Sequence, residues 1–243
     1  NVKIKNIVML LFYDSQIKIE TQKHLFNRSD SKHITKVLRK KLGSEIKITD
    51  GKGIEWTGIL TFLTQQKVFV EKIAAIKHKV PKKLIHLAIA PTKSNERMEW
   101  LVEKLTELGI ASITPIICKH SERKVIKIER LIKISISALK QSNQFFLPEI
   151  KPVISFKNYI QALKNKAVIA HCHPTQKINL SEYLITENEI SLCVGPEGDF
   201  STEEIKLATL LGITPVSLGT QRFRTETAGI FGCHSISVNY QKN

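Results

Sequence analysis

At residues 191–199 the chain reads Ser191-Leu192-Cys193-Val194-Gly195-Pro196-Glu197-Gly198-Asp199, a short apolar run that ends in a polar loop with two glycines. The pattern occurs earlier, where Ala167-Val168-Ile169-Ala170 leads into His171-Cys172-His173-Pro174. It occurs again where Pro215-Val216-Ser217-Leu218 leads into residues 219–228. Short apolar runs that alternate with helices predict a parallel sheet, which binds ligands beyond the carboxyl ends of its strands. Three loops at one sheet edge predict a pocket lined largely by main chain, and this favours an enzyme over a scaffold.

The chain as a whole is predicted to form two domains. Residues 1–77 contain alternating strand patterns and a hairpin turn at Asp50-Gly51, and a short basic helix is expected at residues 31–41. A polar, basic, proline-containing linker follows at residues 77–83. Residues 78–243 read as an α/β domain, in which Ser201-Thr202-Glu203-Glu204 is a capping box that opens a helix.

Positive charge is concentrated in the first two thirds of the chain. The net charge is +15, and residues 1–80 and 81–166 each carry 16 basic and 7 acidic side chains. Residues 167–243 carry 5 basic and 8 acidic side chains. This segregation indicates a polyanionic partner, most simply RNA or DNA, held by the basic part of the chain beside a site in the mildly acidic part.

Two classes of protein are disfavoured by the sequence. No apolar stretch approaches the roughly 18 residues of a membrane span, and residues 7–13 read as a first strand rather than a signal core. The four cysteines are scattered without a C-x-x-C pair, which favours reduced thiols over disulfides or a zinc site. His171-Cys172-His173 resembles a metal-binding cluster, but alternation at a strand end places Cys172 on the face opposite His171 and His173. We therefore expect a cytoplasmic protein that needs no metal.

The common nucleotide and hydrolase motifs are missing from the sequence. It contains no G-x-x-x-x-G-K-[ST], no G-x-G-x-x-G and no G-x-S-x-G. Gly195-Pro196-Glu197-Gly198 alone is a weak signal, because any tight turn could contain it. The three loops could also be ordinary strand-to-helix turns.

Taken together, these loops resemble those of the ribosomal RNA small subunit methyltransferase E (RsmE) family. The resemblance covers nearly the whole chain, and it rests on Val194 to Phe200, Leu218-Gly219 and Arg224 to Ala228, with further matches at His33 to Arg39, Met98-Glu99, Lys104 to Ile110, Ile113 to Pro115, Gln141-Ser142, Pro148 to Ile150 and His173-Pro174. The resemblance implies a SPOUT-class enzyme that methylates N3 of a uridine in 16S rRNA of the 30S subunit with S-adenosylmethionine (AdoMet).

The same resemblance implies a fold and a set of cofactor-binding residues. The expected fold is α/β, with a small N-terminal PUA-like β-barrel and a C-terminal SPOUT domain that has a parallel sheet and a deep trefoil knot. The expected protein is a homodimer. The implied cofactor-binding residues are His173, Pro174, Val194, Gly195, Pro196, Glu197, Gly198, Leu218, Gly219, Phe223, Arg224, Thr225, Thr227 and Ala228.

Candidate roles in catalysis and RNA binding follow for two of these residues and for several others. Arg224 is the candidate for stabilising charge on the uridine oxygens, Glu226 the candidate proton acceptor and Glu197 the second choice. Glu226 could equally cap the last helix. The RNA-binding candidates are Lys32, Lys36, Arg39, Lys40, Lys93, Arg97 and Arg222.

Two positions depart from the family pattern, and two other functions stay open. Gln221 and Gln144 stand where family members often have arginine, which leaves open which arginine faces RNA. A SPOUT enzyme acting on another RNA, such as tRNA, is one alternative. A ribosome-associated RNA-binding protein with a vestigial pocket is the other.

Overall fold

The structure, a computed structural model, describes residues 11–242 and divides into two units. The first unit comprises the chain up to Val80 together with Leu139–Leu147, and the second comprises Pro81–Ala138 and the chain from Pro148 onward. The strand predicted over residues 7–13 is described only from Leu11, since residues 7–10 lie outside the described range.

The first unit is built on one curled five-stranded sheet. Its order is β1-β3-β4-β5-β2; β1 pairs with β3 in parallel, and the other pairs are antiparallel. Trp56 is fully buried at its centre and donates its indole N–H to the carbonyl of Thr21. The strands are β1 (Leu11–Tyr13), β2 (Lys23–Leu25), β3 (Glu45–Thr49), β4 (Ile54–Leu63) and β5 (Val68–Lys77).

The short basic helix of this unit begins three residues earlier than the sequence predicts. Helix α1 (Arg28–Lys32) continues as a π-helical turn over His33–Val37. Asn27 caps it, because its side chain accepts the N–H of Asp30 at 2.8 Å. The helical segment ends before residue 41, and Arg39 takes a positive φ of 48°. The predicted bounds of 31–41 were therefore wrong at both ends.

The second unit contains a parallel sheet whose strand order differs from the chain order. The order is β11-β13-β10-β12-β6-β7-β8, and β9 also pairs with β7. Every pair in it is parallel. The strands are β6 (Leu84–Ile89), β7 (Ser112–Ile117), β8 (Glu149–Ile150), β9 (Ile154–Ser155), β10 (Lys166–Ala170), β11 (Ile178–Asn179), β12 (Glu189–Val194) and β13 (Thr214–Ser217).

Helices cover both faces of the parallel sheet. Alternation along β6 and β12 buries Leu87 and Leu192 against one helical layer and Ala88 and Cys193 against the other. The first layer contains α2 (Asn95–Glu107) and α6 (Thr225–Lys242), and the second contains α4 (Phe156–Ala162) and α5 (Thr202–Leu210). A further helix, α3, spans Ile128–Gln141. The predicted fold class, a small β-rich part and an α/β part with a parallel sheet, is confirmed.

Two local predictions about helix starts are also confirmed. Ser201 and Glu204 form a reciprocal capping box at the start of α5, and α6 begins at Thr225 as expected. All four cysteines are free thiols, and three of them are buried. Burial raises the pKa of those three thiols. Within the described range, no helix combines the length and hydrophobicity that crossing a membrane requires.

Candidate functional site

The three strands that carry the loops are neighbours in the sheet of the second unit. Strand β10 lies between β13 and β12, and both pairs are parallel. Their carboxyl ends therefore meet at one edge, where the following loops line a cavity of about 540 Å³. The convergence expected from the sequence is present.

Two of the three loops contribute most of the predicted cofactor residues to this cavity. The end of β12 and the loop after it contribute Val194, Gly195, Pro196 and Glu197. The loop after β13 and the start of α6 contribute Leu218, Gly219, Phe223, Arg224, Thr225 and Ala228. Arg222, predicted to contact RNA, also lines it, whereas His173, Pro174, Gly198, Glu226 and Thr227 do not.

Close packing holds the loop after β12 against the start of α6. Thr225 donates its hydroxyl to the carbonyl of Gly195 at 3.2 Å. A Cβ on Gly195 would lie 3.0 Å from the ring of Phe200 and 3.1 Å from its main-chain nitrogen. A side chain here would force the Phe200 ring or the turn to give by a few tenths of an ångström, and without one the main chain of the loop can approach a ligand closely.

The loop after β10 uses different residues from those predicted. His173 places its Nε2 2.8 Å from the carbonyl oxygen of Phe200, whereas His171, Cys172 and Lys177 line the cavity. The ammonium of Lys177 donates to the carbonyls of His171 and His173 at 3.0 and 2.8 Å. The sequence shows no signal for Lys177, because its role depends on how the loop folds back.

Asp199 is a further cavity residue that the sequence analysis missed. Its Oδ2 accepts the main-chain N–H of Cys172 at 2.7 Å and so joins the loops after β10 and β12. Asp199 has a positive φ of 63°, a backbone conformation that is unusual outside glycine and that aspartate tolerates better than most residues. The sequence signal for this unusual backbone conformation was the pair Gly198-Asp199, which ends the stretch 191–199.

His171 is buried at the end of β10, with 7% of its surface exposed. Neither ring nitrogen has a hydrogen-bond partner among the described residues. Burial lowers the pKa of His171 to about 4, the charges of Lys177 and His173 act in the same direction, and Asp199 opposes them. The imidazole is therefore neutral at physiological pH.

Glu226, in the first turn of α6, is the second unsatisfied group at this end of the sheet. The residue is 5% exposed, and its Oε1 lies 3.6 Å from Nε of Arg97. Its Oε2 has no hydrogen-bond partner among residues 11–242. A carboxylate held by one arginine retains an oxygen that can accept a proton.

Glu197 and Lys93 are joined by a direct contact. Oε1 of Glu197 accepts the main-chain N–H of Lys93 at 3.1 Å, and the Lys93 ammonium lies 2.7 Å from Glu122. The RNA-binding candidates Lys93 and Arg97 are thus both paired with carboxylates. In the part of the chain that the structure describes, no group of three or more His, Cys, Asp or Glu side chains could hold a metal ion.

The first unit contains the other RNA-binding candidates. Lys32 and Lys36 line a concavity of about 570 Å³ together with Arg28, Ser29, Gln65 and Gln66. Arg39 is exposed and Lys40 is partly exposed just beyond the π-helical turn.

Comparison with known proteins yields matches to both units. The family described as RNA methyltransferase domain matches residues 79–237, and the family described as RNA methyltransferase PUA domain matches residues 26–73. The ribosomal RNA small subunit methyltransferase E of Rickettsia conorii is 27% identical, over 89% of this chain and 87% of that protein.

Solved structures match over nearly the full length. A crystal structure described as a "probable rRNA-methyltransferase" from Porphyromonas gingivalis is 35% identical with a TM-score of 0.88, covering 96% of this chain and 99% of that one. The ribosomal RNA small subunit methyltransferase E of Neisseria gonorrhoeae, bound to S-adenosyl methionine, is 26% identical with a TM-score of 0.83, covering 95% of this chain and 97% of that one.

Proposed function

Because this chain belongs to the ribosomal RNA small subunit methyltransferase E family, we propose that it methylates N3 of a uridine in 16S rRNA. It is an AdoMet-dependent methyltransferase of small-subunit rRNA. The observation that supports the proposed site most is the convergence of three loops, after β10, β12 and β13, on one cavity.

The residues that line this cavity fit AdoMet. Its volume of about 540 Å³ lies within the range of pockets that hold small ligands and cofactors. The apolar side chains of Leu218, Phe223 and Ala228 suit an adenine ring, and the main chain at Gly195 and Gly219 suits polar groups. We propose that AdoMet is held by Val194, Gly195, Pro196, Leu218, Gly219, Phe223, Thr225 and Ala228.

The chemistry at uridine N3 requires a group that stabilises charge. When bound, AdoMet supplies an electrophilic methyl group. The N3–H proton belongs to an imide and must leave as N3 forms its new bond, so negative charge builds up on the two flanking carbonyl oxygens. We propose that Arg224, an exposed guanidinium on the cavity wall, stabilises those oxygens or a neighbouring phosphate.

A proton acceptor is the second requirement. We propose Glu226, because its Oε2 is buried and unpartnered among the described residues while Arg97 holds the other oxygen. Glu197 is the second choice, since one of its oxygens already accepts the N–H of Lys93. N3 is occupied in a paired duplex, so the base must arrive unstacked or from a single-stranded segment.

We also propose that the second unit contains the deep trefoil knot of this class of enzyme. The segment between β10 and β12 contacts α6, because Asn239 donates its side-chain N–H to the carbonyl of Leu180 at 2.9 Å. The chain entering α6 contacts the loop after β12 through Thr225 and Gly195. Both contacts are expected if the last helix passes through the preceding loop.

For the remaining assignments we propose that residues 1–77 bind RNA and that residues 78–243 catalyse the reaction. The basic concavity with Lys32 and Lys36 supports the first assignment, since clustered cations bind phosphates. The substrate is then 16S rRNA or the 30S subunit. We further propose a cytoplasmic homodimer; Trp100 and Phe231, 46% and 51% exposed, are large apolar side chains that a second copy could cover.

The deciding experiment combines AdoMet labelled in its methyl group with 30S subunits from cells that lack this methylation. Nucleoside mass spectrometry should find N3-methyluridine in the 16S rRNA. Label in tRNA, or at another atom of the base, would overturn the proposed specificity. Binding of AdoMet without transfer to any RNA would favour the non-catalytic alternative.

A further inference from the structure

Buried side-chain polar atoms without partners are few in the described part of this molecule. Among residues 11–242 they occur in three side chains: both ring nitrogens of His171, one carboxylate oxygen of Glu226 and the hydroxyl of Tyr240. Buried polar groups in native proteins are almost always hydrogen-bonded, and leaving one unsatisfied costs free energy. His171 has two such atoms in one ring, and it is the member of this group that lines the cavity.

The charged neighbours of His171 are already engaged elsewhere. The ammonium of Lys177 donates to the main-chain carbonyls of residues 171 and 173, and Oδ2 of Asp199 accepts the N–H of Cys172. The ring of His173 lies 5.8 Å away, edge to face, and its Nε2 faces the carbonyl oxygen of Phe200. The loop that surrounds the imidazole thus provides partners for its main chain and none for its ring.

We propose that His171 is a cofactor-contacting residue whose imidazole takes from bound AdoMet the hydrogen-bond partner that the polypeptide does not provide. The inference rests on the proposed function of the cavity. The ring nitrogens are sealed from solvent. Contact therefore requires the ring or the loop after β10 to shift toward the cavity, and the unpaired nitrogens favour that shift.

The chemistry of the ring narrows what it can contact. A neutral imidazole presents one N–H donor and one bare acceptor nitrogen. This pair suits hydroxyl and amino groups, which a ribose, an adenine and an amino-acid moiety all carry. Burial, and after it the positive charge of Lys177 beside the ring, lowers the pKa of His171 and keeps the imidazole in this form.

The test measures two properties of His171→Phe in the absence of RNA. Isothermal titration should show AdoMet binding weakened about 5- to 10-fold, the size of one lost hydrogen bond. The melting temperature without ligand should rise by about 2–4 °C, because the substitution removes unsatisfied buried atoms. His171→Gln, which restores a donor and an acceptor, should recover part of the affinity.

The matched control is His86→Phe in the same sheet. His86 Nδ1 lies 2.8 Å from the hydroxyl oxygen of Ser112, so this variant should melt lower while binding AdoMet as wild type does. If His171→Phe binds AdoMet with wild-type affinity, or melts at a lower temperature than wild type, the inference about His171 is overturned and the proposed function is not. Wild-type protein that fails to bind AdoMet would instead overturn the proposed function.

Discussion

The two ends of the parallel sheet differ in how the polar side chains beside their cavities are paired. At the amino end, His86, Ser112 and Ser191 lie side by side on adjacent strands. His86 pairs with Ser112 at 2.8 Å, and the side-chain amide of Asn165 donates to the Ser191 hydroxyl at 3.0 Å. At the carboxyl end, His171 and Glu226 bury polar atoms without partners among the described residues.

Size does not separate the two ends. The amino-end residues line a second cavity of about 500 Å³, close in volume to the 540 Å³ at the carboxyl end. The pairing of the polar groups that line the cavities does separate them. Among the described residues, His171 lines the carboxyl-end cavity with two unpartnered ring nitrogens, whereas the unpartnered hydroxyl of Tyr240, beside Lys83 at the amino end, belongs to a residue that lines neither cavity. The comparison supports the proposal that the chemistry takes place at the carboxyl end.

The largest expected effect comes from Gly195→Val at the carboxyl end. A side chain here meets the Phe200 ring within about 3 Å and pushes the loop into the cavity, so AdoMet binding should become undetectable by titration. Gly212→Val is the matched control, since Gly212 has a positive φ of 80° and no atom within 4 Å of an added Cβ. The control should lower the melting temperature and keep AdoMet affinity; equal loss in both variants would contradict a specific role for Gly195.

Glu226→Gln should lower kcat about 100-fold while the dissociation constant for AdoMet stays within about twofold. The substitution removes the carboxylate that we propose accepts the N3 proton, and general-base catalysis contributes about this much. Single-turnover methyl transfer measures the rate. Glu189→Gln, at the amino end 3.9 Å from His86, should leave the rate unchanged. A lower melting temperature with unchanged kcat for Glu226→Gln would show that the residue only caps α6.

The pH dependence of stability sharpens the contrast through His171. Its native pKa of about 4 lies below the roughly 6.5 of an unfolded histidine, so between these values the unfolded chain binds a proton that the native chain does not. The free energy of unfolding therefore falls as pH falls. From pH 7 to pH 5 this loss is about 2 kcal/mol, and His171→Phe should abolish that part of it. Urea titrations at both pH values measure this loss. An equal fall in the free energy of unfolding between pH 7 and pH 5 in wild type and His171→Phe would exclude the buried neutral imidazole.

The smallest expected effect is the loss of stability in His86→Phe. The substitution leaves the buried hydroxyl of Ser112 without its 2.8 Å partner and should cost about 1.5 kcal/mol in denaturant unfolding. Methyl transfer under saturating AdoMet should stay at the wild-type rate. A loss of methyl transfer in His86→Phe without a loss of stability would show that the amino end takes part in the chemistry, and the contrast between the two ends would then be wrong.

Most of the architecture was predictable because it depends on local patterns. Apolar runs predicted the three strands β10, β12 and β13, and Ser201 with Glu204 predicted the capped start of α5. The basic helix was misplaced because Asn27 and Asp30 form a cap that the charge run obscured. Its end was misplaced because nothing in a run of basic residues predicts the positive φ of Arg39.

The composition of the site was less predictable than its position. The family resemblance pointed to His173, which in the structure faces the carbonyl of Phe200 instead of the cavity. The cavity residues Lys177 and Asp199 were missed, since their contacts depend on a loop that folds back and on an unusual backbone conformation. The sequence placed His171 in the loop after β10 and did not predict that its ring is buried without a partner.

The sequence by itself determined the fold class, the family and the three loops that line the cavity, because burial patterns and glycine-rich turns are properties of neighbouring residues. Only the tertiary structure decided which polar groups have partners. Glu197 meets the main chain of Lys93 across 104 residues, whereas the ring of His171 meets no partner among the described residues. Hydrogen bonding between distant segments depends on their arrangement in space, and the site at which we propose that the chemistry takes place is identified by those bonds and by the polar atoms that lack them.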